Sequence, residues 1–444
     1  MAEYKHQWKE IKPGHWFRKF APFEKTEYHK TCAIPGVRQR HIAAGISLSE
    51  NYKEISIEAI KKAWMTLRYE QPMIGCSVDE TGYHYTTPNG TAEVQSWVEA
   101  TVRVDASGLS GREVAASATA PETSELYYLP KSEEIFLHVR HDIADAIGAV
   151  LLLNNFLRAL RDGQKSVSFG DGSETSRLPP SLDQIMNSVE PSPSLTDQAK
   201  EVLDRFLNSK PLFLKLRSLK ADTPLQSQRF EYQFSRTETS QFLKICKTKG
   251  ITITHAATAA SALATLEHSE EESGDICASY PMSMRNVLPA PYNSPEYAAT
   301  FYTTSDLQVL SVSKSSDFLE YAKEVQNIYR SAQNNKNITA LAAAILNHME
   351  NTGGAHPATK AHSTLSITVS SLGIVEKYLT EATDDFWLNI VTVTPVVGTF
   401  MYTVKGQLRL IVCYNSNNYG SADPDTESTE HHTKVKRVSP QKKH

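Results

Sequence analysis

The densest run of reactive side chains in the chain is Phe136-Leu-His138-Val-Arg140-His141-Asp142-Ile-Ala-Asp145-Ala-Ile-Gly148. Imidazole is the side chain best suited to taking up a proton near neutral pH, so His141 is the candidate general base for a hydroxyl or amine substrate. Asp145 follows four residues later. A histidine ending a strand and an aspartate opening a buried helix would put the imidazole on a rigid element facing a cleft. At a helix N-terminus a carboxylate is favoured by the free backbone N–H groups and the dipole, so Asp145 is expected to hold the turn that aims the imidazole. The competing reading of His141 is a hydrogen-bonded core histidine. His138 reads as structural and Asp142 as a solvated or capping residue. His138, His141, Asp142 and Asp145 are also metal-ligand types. A strand sends the two histidines to opposite faces, however, and no metal is expected.

The elements that must position these residues are legible around them. Glu134 to His141 reads as a strand with Ile135, Leu137 and Val139 on one side, and Ile147 to Leu153 with Phe156 and Leu157 as a well-buried helix. Upstream, Ile57, Ile60, Ala63, Trp64 and Leu67 recur at helical spacing and predict an amphipathic helix over about 54–70. After Gln71-Pro72 the pattern predicts a strand from Met73 to Val78, a turn at Glu80-Thr81-Gly82 and a partner strand from Tyr83 to Thr87. In the second half, Thr237 is expected to cap a helix burying Phe242, Ile245 and Cys246, with Gly250 just past its end. An Ala-rich helix is expected from Thr254 to His268. Ser315-Ser316-Asp317 caps another that carries Phe318, Ala322, Val325 and Tyr329. Strands follow at Thr364–Val369, Val397–Val404 and Gln407–Tyr414, the last two joined by a Lys405-Gly406 hairpin.

A chain of 444 residues, 40% hydrophobic and 22% charged, is ordinary globular material of two-domain size. The expected division is a domain over 1–185 carrying the motif, a crossover loop over about 163–193, a second domain over 196–420 and a disordered tail over 421–444. A formal net charge of −4 argues against nucleic acid as a partner, since phosphate binding needs a basic face. The five cysteines are scattered and never spaced as C-x-x-C, which points to a reducing compartment and no zinc knuckle. Met1 to Lys12 is polar and no run is long enough to span a bilayer, so a cytoplasmic protein without a membrane partner is expected.

The segment around His141 and Asp145 resembles the active-site motif of the His-x-x-x-Asp acyltransferase superfamily. That superfamily takes in chloramphenicol acetyltransferase, the condensation domains of nonribosomal peptide synthesis and the acyl-CoA-dependent enzymes called BAHD. Other stretches fit in order: Arg18-Lys-Phe-Ala-Pro-Phe-Glu24, Ala63-Trp64-Met-Thr-Leu-Arg68 with Gln71-Pro72, Pro281-Met-Ser-Met-Arg285, and Leu365 to Gly373. They span most of residues 15 to 420, and the nearest look is to fungal trichothecene O-acetyltransferases. Two departures stand out. The glycine that usually follows the motif aspartate is Ala146, and the Asp-Phe-Gly-Trp-Gly signature of the plant enzymes is replaced by Asp384-Asp385-Phe386-Trp387-Leu388.

The resemblance implies an α/β fold of two chloramphenicol-acetyltransferase-like domains forming a V, with a solvent tunnel that admits donor and acceptor from opposite faces. It implies transfer of an acyl group, acetyl above all, from acyl-CoA or a carrier-protein thioester to a hydroxyl or amine of a small molecule such as a fungal secondary metabolite. His141 would be the catalytic base. Acyl-CoA would serve as co-substrate with no cofactor and no metal, in a monomer. An Asp145–Arg285 pair would be structural, and Ser370, Ser371 and Trp387 are candidates for lining the substrate site. The alternative is a condensation-fold protein that catalyses a cyclisation or serves as a binding module; a purely structural member is the other.

Overall fold

The computed structural model describes residues 6–32, 40–52, 55–163, 167–187, 192–214, 227–351, 366–381, 383–391 and 397–416. In chain order the first part of the chain runs β1 (Lys9–Lys12), β2 (His15–Lys19), α1 (Pro22–Thr31), β3 (His41–Leu48), α2 (Ile57–Glu70), β4 (Ser77–Val78) and β5 (Gly82–Thr86). It continues with α3 (Thr91–Thr101), β6 (Val102–Val104), α4 (Gly111–Ser117), β7 (Glu125–Leu129), β8 (Glu134–Arg140), α5 (Ala146–Arg161) and α6 (Leu182–Ile185). The remainder is α7 (Pro193–Leu207), β9 (Ser227–Gln233), α8 (Arg236–Lys249), α9 (Ile253–Glu267), β10 (Ser273–Ser283) and β11 (Thr303–Ser313). Then come α10 (Phe318–Asn334), α11 (Ile338–Asn351), β12 (Ile367–Ile374), β13 (Thr383–Ile390), β14 (Val397–Val404) and β15 (Gln407–Asn415).

The chain forms two compact units, and neither is continuous in sequence. One takes the chain as far as Pro191 together with Met282–Thr304 and Ile374–Val391; the other takes the rest. The expected division into 1–185 and 196–420 is corrected on this point, because two stretches of the later half fold with the first. One is the connection between β10 and β11. The other ends in β13, which pairs antiparallel with β3 from Ile390↔Ile42 to Thr383↔Leu48. Such pairings bring together residues more than three hundred positions apart, and composition along the chain carries no trace of them.

In the first unit a five-stranded sheet has the order β13-β3-β8-β7-β6, and a four-stranded sheet the order β1-β2-β5-β4. Helix α5 packs against β3 and β8, and α4 against β3, β8 and β13. Strand β8 is therefore buried along its whole length, including Phe136 and His138, and not only on the side of Ile135, Leu137 and Val139. Phe136, Ala43 and Trp387 form a cluster with Val114 and Ala115 of α4.

In the second unit β12, β14, β15 and β9 make a four-stranded sheet, and β10 pairs with β11. The Lys405-Gly406 hairpin is present, with φ of 49° and 75° at its two turn residues, as a tight turn between twisted strands requires. Helix α8 is capped by Ser235 and not by Thr237: the Ser235 side chain accepts from the Glu238 N–H, and Glu238 accepts the Ser235 N–H at 2.9 Å. Gly250 does close the helix, with a φ of 72°. The strand expected over 73–78 is reduced to β4, because Pro72 opens a 3₁₀ turn over Pro72–Gly75 in which Cys76 N–H bonds back to the Met73 carbonyl. Residues 364, 365 and the 421–444 tail lie outside the described residues.

Candidate active site

Strand β8 ends at Arg140, and the next five residues turn the chain into α5. The His141 N–H bonds the Arg40 carbonyl at 3.1 Å, which continues the β3–β8 ladder by one step and seats the backbone of the imidazole on a strand end. The turn is locked from within. Arg140 grips the Asp142 carboxylate with two bonds of 2.9 and 2.6 Å, and Tyr83 donates to the Asp142 carbonyl at 2.6 Å. Asp142 is therefore a buried ion-pair partner and not the solvated residue expected. The ring of His141 lies 5.7 Å from that of Phe301, centroid to centroid, and the residue is half-buried. Its Nδ1 is buried and has no hydrogen-bond partner among the described residues.

Asp145 caps α5: its Oδ1 accepts the Gly148 N–H at 2.7 Å. The same carboxylate accepts from Arg285 Nη2 at 3.3 Å, from the Tyr302 N–H at 2.9 Å and from the Thr303 hydroxyl at 3.1 Å. Asp145 is 3% exposed and Arg285 4%. Arg285 spends its other bonds on the Tyr297 carbonyl at 2.8 Å and the Thr300 hydroxyl at 2.9 Å, so Asp145 and Arg285 together tie down the 282–304 stretch. Gln71 does the same from α2, donating to the Glu296 carbonyl at 2.8 Å and accepting the Ala299 N–H at 3.2 Å. The fit is close: a Cβ on Gly148 would lie 2.5 Å from the Ala298 carbonyl oxygen.

The electrostatics of His141 depend on residues that its own segment does not contain. Burial pulls its pKa below the ordinary histidine value; the Glu27 carboxylate acts to raise it, Arg40 to lower it, and its own backbone and Asp145 raise it. Glu27 is a buried residue of α1 that accepts from Lys30 Nζ at 2.7 Å and from Arg40 Nη2 at 2.9 Å. Burial works to raise its carboxyl, but Arg40, Lys30 and then His141 overcome it and hold the group far below the usual carboxylate range. Glu27 therefore stays an anion whose charge is felt at the imidazole. On the other side of β8, His138 is hydrogen-bonded ring to ring with His41, whose pKa is lowered by burial first and by His138 second.

The structure thus brings together His141, Asp145 and Arg285. Ser370 and Ser371 belong to β12 of the second unit, half-buried. Trp387 is corrected from a substrate-lining residue to a core one: it is 0% exposed, its indole N–H donates to Glu134 at 3.1 Å, and its ring lies against Gly45 and Gly111. Glu27, Arg40 and Phe301 escaped the sequence reading, since no spacing relates them to position 141. Gln71 had a signal in the Gln71-Pro72 pair. Among the described residues no group of three His, Cys, Asp or Glu side chains is placed to hold a metal ion, and no helix is long and apolar enough to cross a membrane.

The relatives and solved structures that resemble the chain over nearly its whole length include two curated proteins and one solved acetyltransferase. The acetyltransferase pigO of Monascus ruber is 24% identical over 93% of this chain and 94% of its own. The O-acetyltransferase pigM of the same organism is 25% identical over 93% of this chain and 83% of its own. The solved trichothecene 15-O-acetyltransferase TRI3 of Fusarium sporotrichioides superposes with a TM-score of 0.76 at 18% identity, covering 97% of this chain and 96% of that one. The fold is the mixed α/β fold of that trichothecene acetyltransferase, and in this chain His141 and Asp145 lie in the turn that joins β8 to α5. No family model matches the chain.

Proposed function

We propose that this protein is an acyltransferase that moves an acyl group, acetyl in the first instance, from an acyl-CoA or carrier-protein thioester to a hydroxyl or amine of a fungal secondary metabolite. The observation that carries the reading is His141. Its backbone is fixed on a strand end, the residue is half-buried, and its buried Nδ1 has no hydrogen-bond partner among the described residues. With Nδ1 enclosed, Nε2 is the nitrogen assigned here to carry the lone pair.

Nε2 takes the proton of the acceptor O–H or N–H as that atom attacks the thioester carbonyl carbon. The tetrahedral oxyanion collapses with rupture of the C–S bond, and the imidazolium returns its proton to the departing thiolate. Proton and charge balance within one turnover, and no acyl-enzyme, metal or prosthetic group takes part. Asp145 is held by four partners and cannot swing to the ring; its part is to keep β8, the turn and α5 in one geometry. Acetyl-group transfer is supported by the names of both Monascus relatives, and a secondary-metabolite acceptor by the trichothecene enzyme.

The test is release of free thiol from a panel of acyl-CoAs offered with fungal polyketide and terpenoid alcohols. Wild-type protein should release thiol only when donor and acceptor are both present. His141→Ala should lower turnover by roughly 100-fold or more, the usual share of a positioned base, while melting as wild type does. Undiminished turnover in that variant would remove His141 from the reaction.

A further inference from the structure

We propose that Glu27 is a positioning residue for His141: from α1 it holds Arg40 by an ion pair, and through the Arg40 carbonyl the backbone of His141. The inference rests on the reading of His141 as the base and adds to it the group that sets its strength.

Three observations carry it. First, Arg40 is bound through its N–H, its carbonyl and its guanidinium. Its N–H bonds the Val391 carbonyl at 2.9 Å, its carbonyl receives the His141 N–H at 3.1 Å, and its guanidinium gives two bonds to Glu27, of 3.2 and 2.9 Å. Second, Arg40 has a φ of 58°, a left-handed conformation that a residue with a Cβ adopts only where its surroundings over-determine it. The Glu27 pair is the side-chain part of that determination. A loosened Arg40 would release the peptide on which His141 sits.

Third, the charged groups facing His141 are Glu27 from α1, Arg40 before β3 and Asp145 at the head of α5, with the Phe301 ring from the 282–304 stretch. Asp145 is paired with Arg285 and capped by backbone and hydroxyl donors, so its negative charge is largely spent. Glu27 shares its charge with Arg40 and Lys30 and is still felt by the imidazole, as the imidazole is felt by it. A buried base loses proton affinity through desolvation, and a fixed anion alongside restores part of it.

The experiment follows the His141 ring directly. Histidine-labelled full-length protein is titrated by NMR, with the His141 resonance assigned from its absence in His141→Gln, for wild type, Glu27→Gln, Glu27→Asp and Arg40→Gln. Glu27→Gln should lower the His141 titration midpoint, move the rising limb of the pH–turnover profile to lower pH and reduce plateau turnover, because a weaker base drives proton transfer less. Glu27→Asp should restore most of both, and Arg40→Gln should move the midpoint up. A midpoint unchanged in Glu27→Gln and Arg40→Gln overturns the proposal. If Glu27→Gln does not fold, Arg40→Gln decides alone: an upward shift supports the proposal and no shift overturns it. The NMR midpoint needs no turnover, so an active His141→Ala would sink the base assignment while leaving this measurement to be judged by itself.

Discussion

Substituting Asp145 by Asn separates the architectural use of the motif from the chemical one. The carboxylate now accepts the Gly148 N–H on Oδ1, the Tyr302 N–H and Thr303 hydroxyl on Oδ2, and Arg285 on both. An amide has one acceptor oxygen. If that oxygen keeps the cap on Gly148, the NH₂ group meets the Tyr302 N–H head-on and leaves a buried donor unpaired, a loss of about 1–3 kcal/mol. Arg285 also loses its counter-charge at 4% exposure. Removing one member of a buried pair costs about 3–5 kcal/mol, but Arg285 keeps Tyr297 and Thr300 as acceptors, which softens that part. The sum is about 4 kcal/mol, which in a unit of this size lowers Tm by roughly 8–16 °C. The assay is thermal melting followed by circular dichroism, with thiol release measured well below both melting temperatures. Stability and turnover should fall together, and Arg285→Ala should be destabilised as well. A Tm within about 2 °C of wild type, combined with a loss of turnover of roughly 100-fold, would refute the reasoning and assign Asp145 to the imidazole as in a Ser-His-Asp system.

The remaining expectations concern the base, the packing and the metal. His141 has its pKa lowered chiefly by burial, and the base works deprotonated. Turnover should therefore rise with pH along a limb that lies below the ordinary histidine value and be flat through neutrality; a pH–kcat profile whose limb lies above pH 7 would contradict it. Gly148→Ala places a methyl 2.5 Å from the Ala298 carbonyl and should cost about 1–3 kcal/mol of stability, read as a lowered Tm; an unchanged melt would show that the 282–304 stretch gives way freely. Chelating agents should leave turnover unaltered, and stoichiometric zinc or iron found in active protein by elemental analysis would bring back the metal reading of the histidine and aspartate cluster.

Much of the local structure around the motif is legible in the chain itself. The run from Glu134 to Leu157 reads as strand, turn and buried helix because its signals act within a few residues: apolar density, an aspartate able to cap, an imidazole at the junction. Gly250 and Lys405-Gly406 are equally local, since positive φ is a property of single residues in a turn. Where two local signals competed, as at Pro72 or between Ser235 and Thr237, the reading missed by a turn or by two residues, and hydrogen-bond geometry made the choice.

What tertiary structure alone decided is everything that depends on which distant segment arrives. The residues alone do not join Arg285 to Asp145; the resemblance implied that pair, and the 282–304 stretch makes it. Trp387 could line a substrate site until β13 lays it against β3 and Glu134. Glu27 and Arg40 carry no pattern that points to position 141; only the folding of α1 and the start of β3 around the end of β8 makes them its electrostatic environment. Spacing in sequence encodes periodicity along one element, whereas charge and shape at a site are summed over elements that meet in space, and that sum exists only after the chain has folded.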